Sequence, residues 1–302
     1  MLVASGASFA ISEGLKVQRA AVTAVRVPVR IFSPVCPCPQ RRVDIGFRLT
    51  RSDRVTLTMV DANDRLVRTL VRHRLFSRGG HHFTWNGRDN DGVVVPEGGY
   101  RPSVRLERTA RTFVLPTPIT VDVTPPKIRL VTVRPRVISP DGDGRSDVVR
   151  VTYRISEHAH GVLYVAGRQA ARTKFQRRRD NVNWYGSLDG RRLRPGTYRL
   201  QLAAVDLAGN ESRRIPAGTV RIRFVELPTK LFRVGPGGRV VIPVSADAAR
   251  LRYTLRHGSS VVASGSSGPR LVLRAPKKPG RYVLTVRVGD HRAAATVVVR
   301  KR

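Results

Sequence analysis

Along most of the chain, apolar and polar residues alternate in short runs bounded by Gly, Pro, Asn, Asp and Ser. "VDIGFRL" (43–49), "VTLTMV" (55–60), "VRVTYRI" (149–155), "YRLQLAAV" (198–205) and "RYVLTVRV" (281–288) are examples. A period of two places one set of side chains on a buried face and the other towards water, which is the pattern of a half-buried strand. No segment carries an apolar period of 3.6 residues over a useful length, so helices are not expected. The apolar residues are mainly Val, Leu, Ile and Ala, a bias that suits strands. At 302 residues the chain exceeds one ordinary core, and two or three β-sandwich domains of about 100 residues each are predicted.

The pattern repeats. "VISPDGDGRSDVVRVTYRIS" (137–156) aligns without a gap on "IFSPVCPCPQRRVDIGFRLT" (31–50), an offset of 106 residues. Each copy has an apolar pair, Ser-Pro, an irregular stretch and an alternating strand. Next come two strands around a tight turn, at Asn63-Asp64 in the first copy and within "GVLYVAGRQAARTKF" in the second. Trp85-Asn86-Gly87 and Trp184-Tyr185-Gly186 follow, and Tyr100 or Tyr198 opens a further strand 15 or 14 residues after its Trp. This predicts one hairpin with a slightly different tip in each copy, its aromatics packed in the core. The Pro pair in "VDVTPPKIRL" (121–130) marks a stiff junction, since proline cannot donate to a sheet ladder. Residues 228–302 contain neither Ser-Pro nor Trp, yet strands recur at short intervals there, as in a compact sandwich.

At "SPDGDGRSDVVRVTYRIS", "VDANDRLVRTL", "WNGRDNDGVVVPEGGYRPSVRL" and "AAVDLAGN" the sequence resembles the immunoglobulin-like domain of the flagellar hook-capping protein, a domain that also occurs as tandem repeats in bacterial surface and secreted proteins. The resemblance covers about residues 28–226. It implies immunoglobulin-like β-sandwiches at residues 28–124 and 125–227 behind an N-terminal segment 1–27; residues 228–302 look like a generic bacterial Ig-like domain, so an all-β chain of three tandem immunoglobulin-like β-sandwiches is expected. The non-Ig portions of the hook-capping protein are not recognisable here, so the resemblance supports the module's fold rather than a flagellar role. Leu2–Ile11 is apolar but shorter than a span of about 20 residues. It reads as the tail of a signal peptide or signal anchor, or as a weakly apolar terminus.

Charge changes the picture most. Lys and Arg number 56 against 21 Asp and Glu, a formal net charge of +35, and only seven of the 56 are Lys. The arginines are spread through every segment, alternating with Val or Leu, which fits solvent-facing strand positions. That distribution argues against a nucleic-acid site, which would interleave a basic stripe with aromatics. Anionic envelope polymers or other surface proteins are the partners expected.

Against this background "SPDGDGRSD" (139–147) stands out. Counted from Asp141, an EF-hand would need Gly at its sixth position and Glu at its twelfth, where Ser146 and Thr152 stand. Asp141, Asp143 and Asp147 could still offer three oxygen ligands to calcium, while Asp-Gly pairs also form turns unaided. "RDNDG" (88–92) carries the same two readings. Cys36 and Cys38, flanking one proline, make neither a disulfide framework nor a zinc site, and read as free or locally paired thiols. The seven histidines (His73, His81, His82, His158, His160, His257 and His291) match no catalytic pattern, although His81-His82 and His158-x-His160 could each share a metal. The expected function is a non-enzymatic structural or adhesive module of the cell envelope or surface, tethered at its N-terminus. A hook-capping-like assembly scaffold and a carbohydrate- or peptide-binding accessory module are the alternatives.

Overall fold

The computed structural model describes residues 21–174 and 176–300, so the apolar stretch at Leu2–Ile11 lies outside the described residues. Two compact units are present: one runs up to Pro125 and takes in Asp206–Glu211, and the other holds Pro126–Val205 and continues from Ser212. The division falls inside the Pro125-Pro126 pair.

The first unit is a β-sandwich. One sheet orders Val22–Arg26, Val43–Leu49 and Gly79–Trp85 in antiparallel fashion. It thus includes a strand ahead of residue 28, where the sequence pattern had placed the start. The opposing sheet orders Ile31–Phe32, Ile119–Val121, Gly98–Leu106, Asp53–Val60 and Leu66–Phe76, with Arg111–Val114 added against Gly98–Leu106. Its first pair is parallel and the rest antiparallel. Val43, Ile45, Phe47 and Leu49 face inward while Asp44 and Arg48 stay exposed, as the alternation requires. Trp85 is fully buried against Phe32 and Tyr100, with ring centroids 5.6 and 5.2 Å away.

The second unit begins with another sandwich of the same plan. Ile128–Arg134, Val149–Ile155 and Arg179–Trp184 form one sheet; Val137–Ile138, Ile215–Ile222, Gly196–Val205, His160–Val165 and Arg168–Arg172 form the other. The third region repeats the second of these sheets strand for strand: Leu231–Val234, His291–Val299, Gly280–Val288, Leu251–His257 and Ser260–Ser267, again with the first pair parallel. Arg239–Pro243 pairs Arg270–Arg274, and Val225–Glu226 pairs Ser245–Ala246, on the opposing side. Each sandwich of this unit has its own core, one around Tyr153, Leu163 and Trp184, the other around Ile242, Leu255 and Tyr282.

A small device recurs in all three. Tyr100, Tyr198 and Tyr282 open the same strand, and each hydroxyl donates to the carbonyl four residues back, of Pro96, Arg194 and Lys278, at 2.7, 2.8 and 2.7 Å. The bond lets a large ring pack at the sandwich edge without stranding its hydroxyl. In the first two sandwiches the indole is treated likewise: Trp85 Nε1 donates to Arg88 O at 3.0 Å and Trp184 Nε1 to Ser187 O at 2.7 Å.

The Trp-to-Tyr segment is not the hairpin that its spacing suggested. Gly79–Trp85 and Gly98–Leu106 lie in opposite sheets, as do Arg179–Trp184 and Gly196–Val205. The chain crosses the end of the sandwich between them, pausing only in the Arg88–Val94 bridge or the two-residue ladder of Ser187–Leu188 with Arg191–Arg192. The glycine after each Trp makes the crossing possible. Gly87 and Gly186 have φ of +69° and +67°, and a Cβ there would lie 2.3 Å from Pro34 Cγ or 2.6 Å from Pro140 Cγ. The two hairpins read from the sequence do form: Asp53–Val60 with Leu66–Phe76, and His160–Val165 with Arg168–Arg172. The first turn is held by Asp61 Oδ1, which accepts the amides of Asn63 and Arg65 at 2.8 and 2.9 Å.

Candidate functional site

The Ser139–Asp147 loop leaves the short strand Val137–Ile138 and returns as Val149–Ile155. Gly142 and Gly144 adopt φ of +91° and +83°, and both amides donate to Asp147, to Oδ1 at 2.8 Å and Oδ2 at 2.7 Å. Both oxygens of Asp147 are therefore occupied in shaping the loop. Asp141 and Asp143 each accept one amide through Oδ1, from Asp143 at 3.3 Å and Arg145 at 2.8 Å.

The carboxylate that joins Asp141 and Asp143 is Asp247, just after the short strand Ser245–Ala246 in the third region. One oxygen from each of the three lies within 4.8 Å of the others. Both Asp247 oxygens are buried and receive no hydrogen bond, and Ser139 Oγ, in a residue only 3% exposed, has no partner either. Burial raises the Asp247 pKa above the ordinary value, and the negative charges of Asp141 and Asp143 raise it further. Its own amide and the nearby Ser139 hydroxyl, neither at hydrogen-bonding geometry, hold the value down only in part. Nothing near Asp247 in the sequence announces this role, because "VSADAAR" is an ordinary strand-end turn about a hundred residues downstream. The available signal is the scarcity of acids, 21 in 302 residues, which makes three in one place unusual.

In the first sandwich the matching loop is built by other means. Cys36 and Cys38 form a disulfide with Cα atoms 5.2 Å apart, which selects the locally paired reading over free thiols. Val35 and Pro37 occupy the places of Asp141 and Asp143. In "RDNDG", Asp89 Oδ1 accepts the amides of Asp91 and Val93 at 3.0 and 2.8 Å, and Asn90 Oδ1 accepts that of Thr69 at 2.9 Å. These side chains build the turn.

The histidines are dispersed. His81 and His82 are neighbours on one strand and so point to opposite faces. His81 Nε2 contacts Ser77 O at 2.8 Å, His160 Nδ1 contacts Thr173 O at 2.8 Å, and His73 pairs with Glu107. His291 stacks on Phe224, with ring centroids 3.5 Å apart. Among the described residues none joins a cluster of three metal-ligating side chains.

Part of the first sandwich matches a known family. Residues 40–109 match the family model of the FlgD Ig-like domain. The basal-body rod modification protein FlgD of Salmonella typhimurium is 43% identical over 53 residues, covering 18% of this chain and 22% of that protein, and its Salmonella typhi counterpart matches equally. The chain thus spans about a fifth of the length of these relatives. Among solved structures, the fibronectin(III)-like modules of Clostridium thermocellum CbhA align at 15% identity over 67% of this chain and 92% of theirs, with a TM-score of 0.35. A three-Ig fragment of titin aligns at 13% identity over 92% of this chain and 98% of its own, with a TM-score of 0.30. The chain is a tandem of immunoglobulin-like β-sandwiches that resemble the Ig-like domain of FlgD, and its first sandwich carries the match.

Proposed function

We propose that the chain is a non-enzymatic structural or adhesive Ig-like repeat protein of the bacterial envelope or surface, whose arginine-studded strands hold it to anionic polymers. The observation that carries this reading is the use of one strand order three times, with arginines on the solvent side of the alternation. Arg150 and Arg154 flank the buried Val151 and Tyr153, and Arg270 and Arg274 flank the buried Leu271 and Leu273. A surface groove brings Arg172, Lys174 and Arg177 together with Asp180, an excess of positive charge. Contacts of this kind are numerous, individually weak and screened by salt, since the Debye length shrinks from about 10 Å at 0.1 M to about 3 Å at 1 M.

The test is sedimentation of the purified chain with isolated envelopes at low and high salt, paired with protease accessibility of a C-terminally tagged copy in intact cells. Binding that falls steeply with salt, with a tag shaved from outside, supports the reading. Salt-independent binding refutes the electrostatic part, and a tag protected until lysis refutes the surface location. The match to FlgD favours a second reading, an assembly scaffold that caps a filament, for which co-purification with hook subunits is the discriminating observation.

A further inference from the structure

We propose that Asp141, Asp143 and Asp247 form a calcium site that ties the acidic loop of the second sandwich to the third, whatever the chain binds outside itself. Three acidic oxygens within 4.8 Å of one another are an unfavourable arrangement without a cation. In a chain with 56 basic residues, the guanidinium nearest the loop among its glycine neighbours is that of Arg192, with Nη2 4.0 Å from where a Cβ on Gly142 would stand. Both Asp247 oxygens are shut from water and meet no donor at hydrogen-bonding geometry, and the hydroxyl of the 3%-exposed Ser139, which lies beside them, makes no hydrogen bond of good geometry either. Ser33, at the matching place in the first sandwich, is buried and unpartnered as well, so the serine alone is a trait of the repeat. What is peculiar to the second loop is that its hydroxyl faces a buried carboxylate.

The donor set is entirely oxygen, which selects a hard cation. Calcium takes oxygens at about 2.3–2.6 Å in flexible geometry, so ligand atoms on either side of it stand up to about 5 Å apart. Separations that are all under 4.8 Å are compatible with that sphere. Magnesium, at about 2.0–2.1 Å, demands a tighter octahedron. Asp143 is exposed, which leaves a side open for water to complete the shell. Asp147 serves as a positioning residue, since its bonds to Gly142 and Gly144 hold Asp141 and Asp143 on the same side of the loop.

The experiment uses the full chain, stripped with EGTA and then titrated with calcium chloride in a calorimeter, with thermal unfolding measured in parallel. The expected result is one calcium per chain with Kd in the range of about 0.1–1 mM seen for extracellular modules, together with a rise in Tm. Asp247→Asn should weaken binding at least tenfold and remove the rise. Asp143→Asn, at an exposed position, should do the same and keeps the test valid if the first variant fails to fold. Asp290→Asn, at an exposed turn outside the cluster, should change neither readout. Absence of saturable binding up to 10-fold above about 1 mM would overturn the site. Binding that survives Asp247→Asn in a folded variant would also overturn it, leaving a loop that binds without the third sandwich.

Discussion

Gly161 lies beneath the ring of Tyr153, and replacing it with alanine probes how tightly the second sandwich is packed. Gly161 sits on His160–Val165 and Tyr153 on Val149–Ile155, strands of opposing sheets. A Cβ at Gly161 would be 2.3 Å from Tyr153 Cζ and 2.4 Å from both Cε1 and the hydroxyl, whereas ordinary contact begins at 3.4 Å. The ring would have to retreat by roughly 1 Å within a close-packed core, where interiors have little room to yield. Overpacking of this kind costs about 1–3 kcal/mol. The 3.4 Å bond from Tyr153 Oη to Thr173 Oγ1 would be lost as well, adding about 1 kcal/mol. Reduced freedom of the unfolded chain offsets about 0.4–1 kcal/mol, for a net loss of roughly 2–3 kcal/mol. The assay is urea unfolding of the full chain followed by Trp184 fluorescence in a Trp85→Phe background, so that the signal comes from this sandwich alone. With a slope of about 1–2 kcal/mol per molar urea, the midpoint should fall by about 1–3 M. Adding Tyr153→Leu to Gly161→Ala should give a combined loss smaller than the sum of the two. An unchanged midpoint, or strict additivity of the pair, would refute the steric reasoning.

Gly87→Ala should destabilise the first unit by about 2 kcal/mol or more, because left-handed strain at φ +69° adds to the clash with Pro34; Trp85 fluorescence in urea reads it. Asn210→Ala should cost about 1–3 kcal/mol, since the buried Asp206 carboxylate loses the 2.9 Å bond from Asn210 Nδ2; thermal unfolding measures it. Reduction of Cys36–Cys38 should lower stability by no more than about 2 kcal/mol, because its loop is very short, and unfolding with and without dithiothreitol checks this. Glu97 has a pKa below the ordinary 4.5 because Thr124 and the Val123 amide hydrogen-bond its ionised form. A depressed folded value means stability that is present above pH 4.5 and lost as pH falls through the folded pKa. Glu97→Gln should remove that part of the acid sensitivity, seen as a flatter stability profile below pH 4.5.

Much of the architecture was legible in the sequence because strand alternation is a local property. Residues such as Val149, Val151 and Tyr153 carry their inward orientation in the period of two itself. Tight turns were legible for the same reason, as Asp61 and its two amides show. Sheet membership was not. The run from Trp85 to Tyr100 reads as a hairpin by spacing, and only packing decides that its strands face each other across the core. The third sandwich lacks Ser-Pro and Trp, so its kinship emerged from strand order and from the Tyr282 bond to Lys278. The candidate site divides in the same way. Asp141 and Asp143 are conspicuous as neighbours in a basic chain, and their role as ligands could be weighed from sequence. That Asp147 faces backbone amides, and that Asp247 completes the cluster, depends on a contact between residues about a hundred positions apart, which no local pattern encodes.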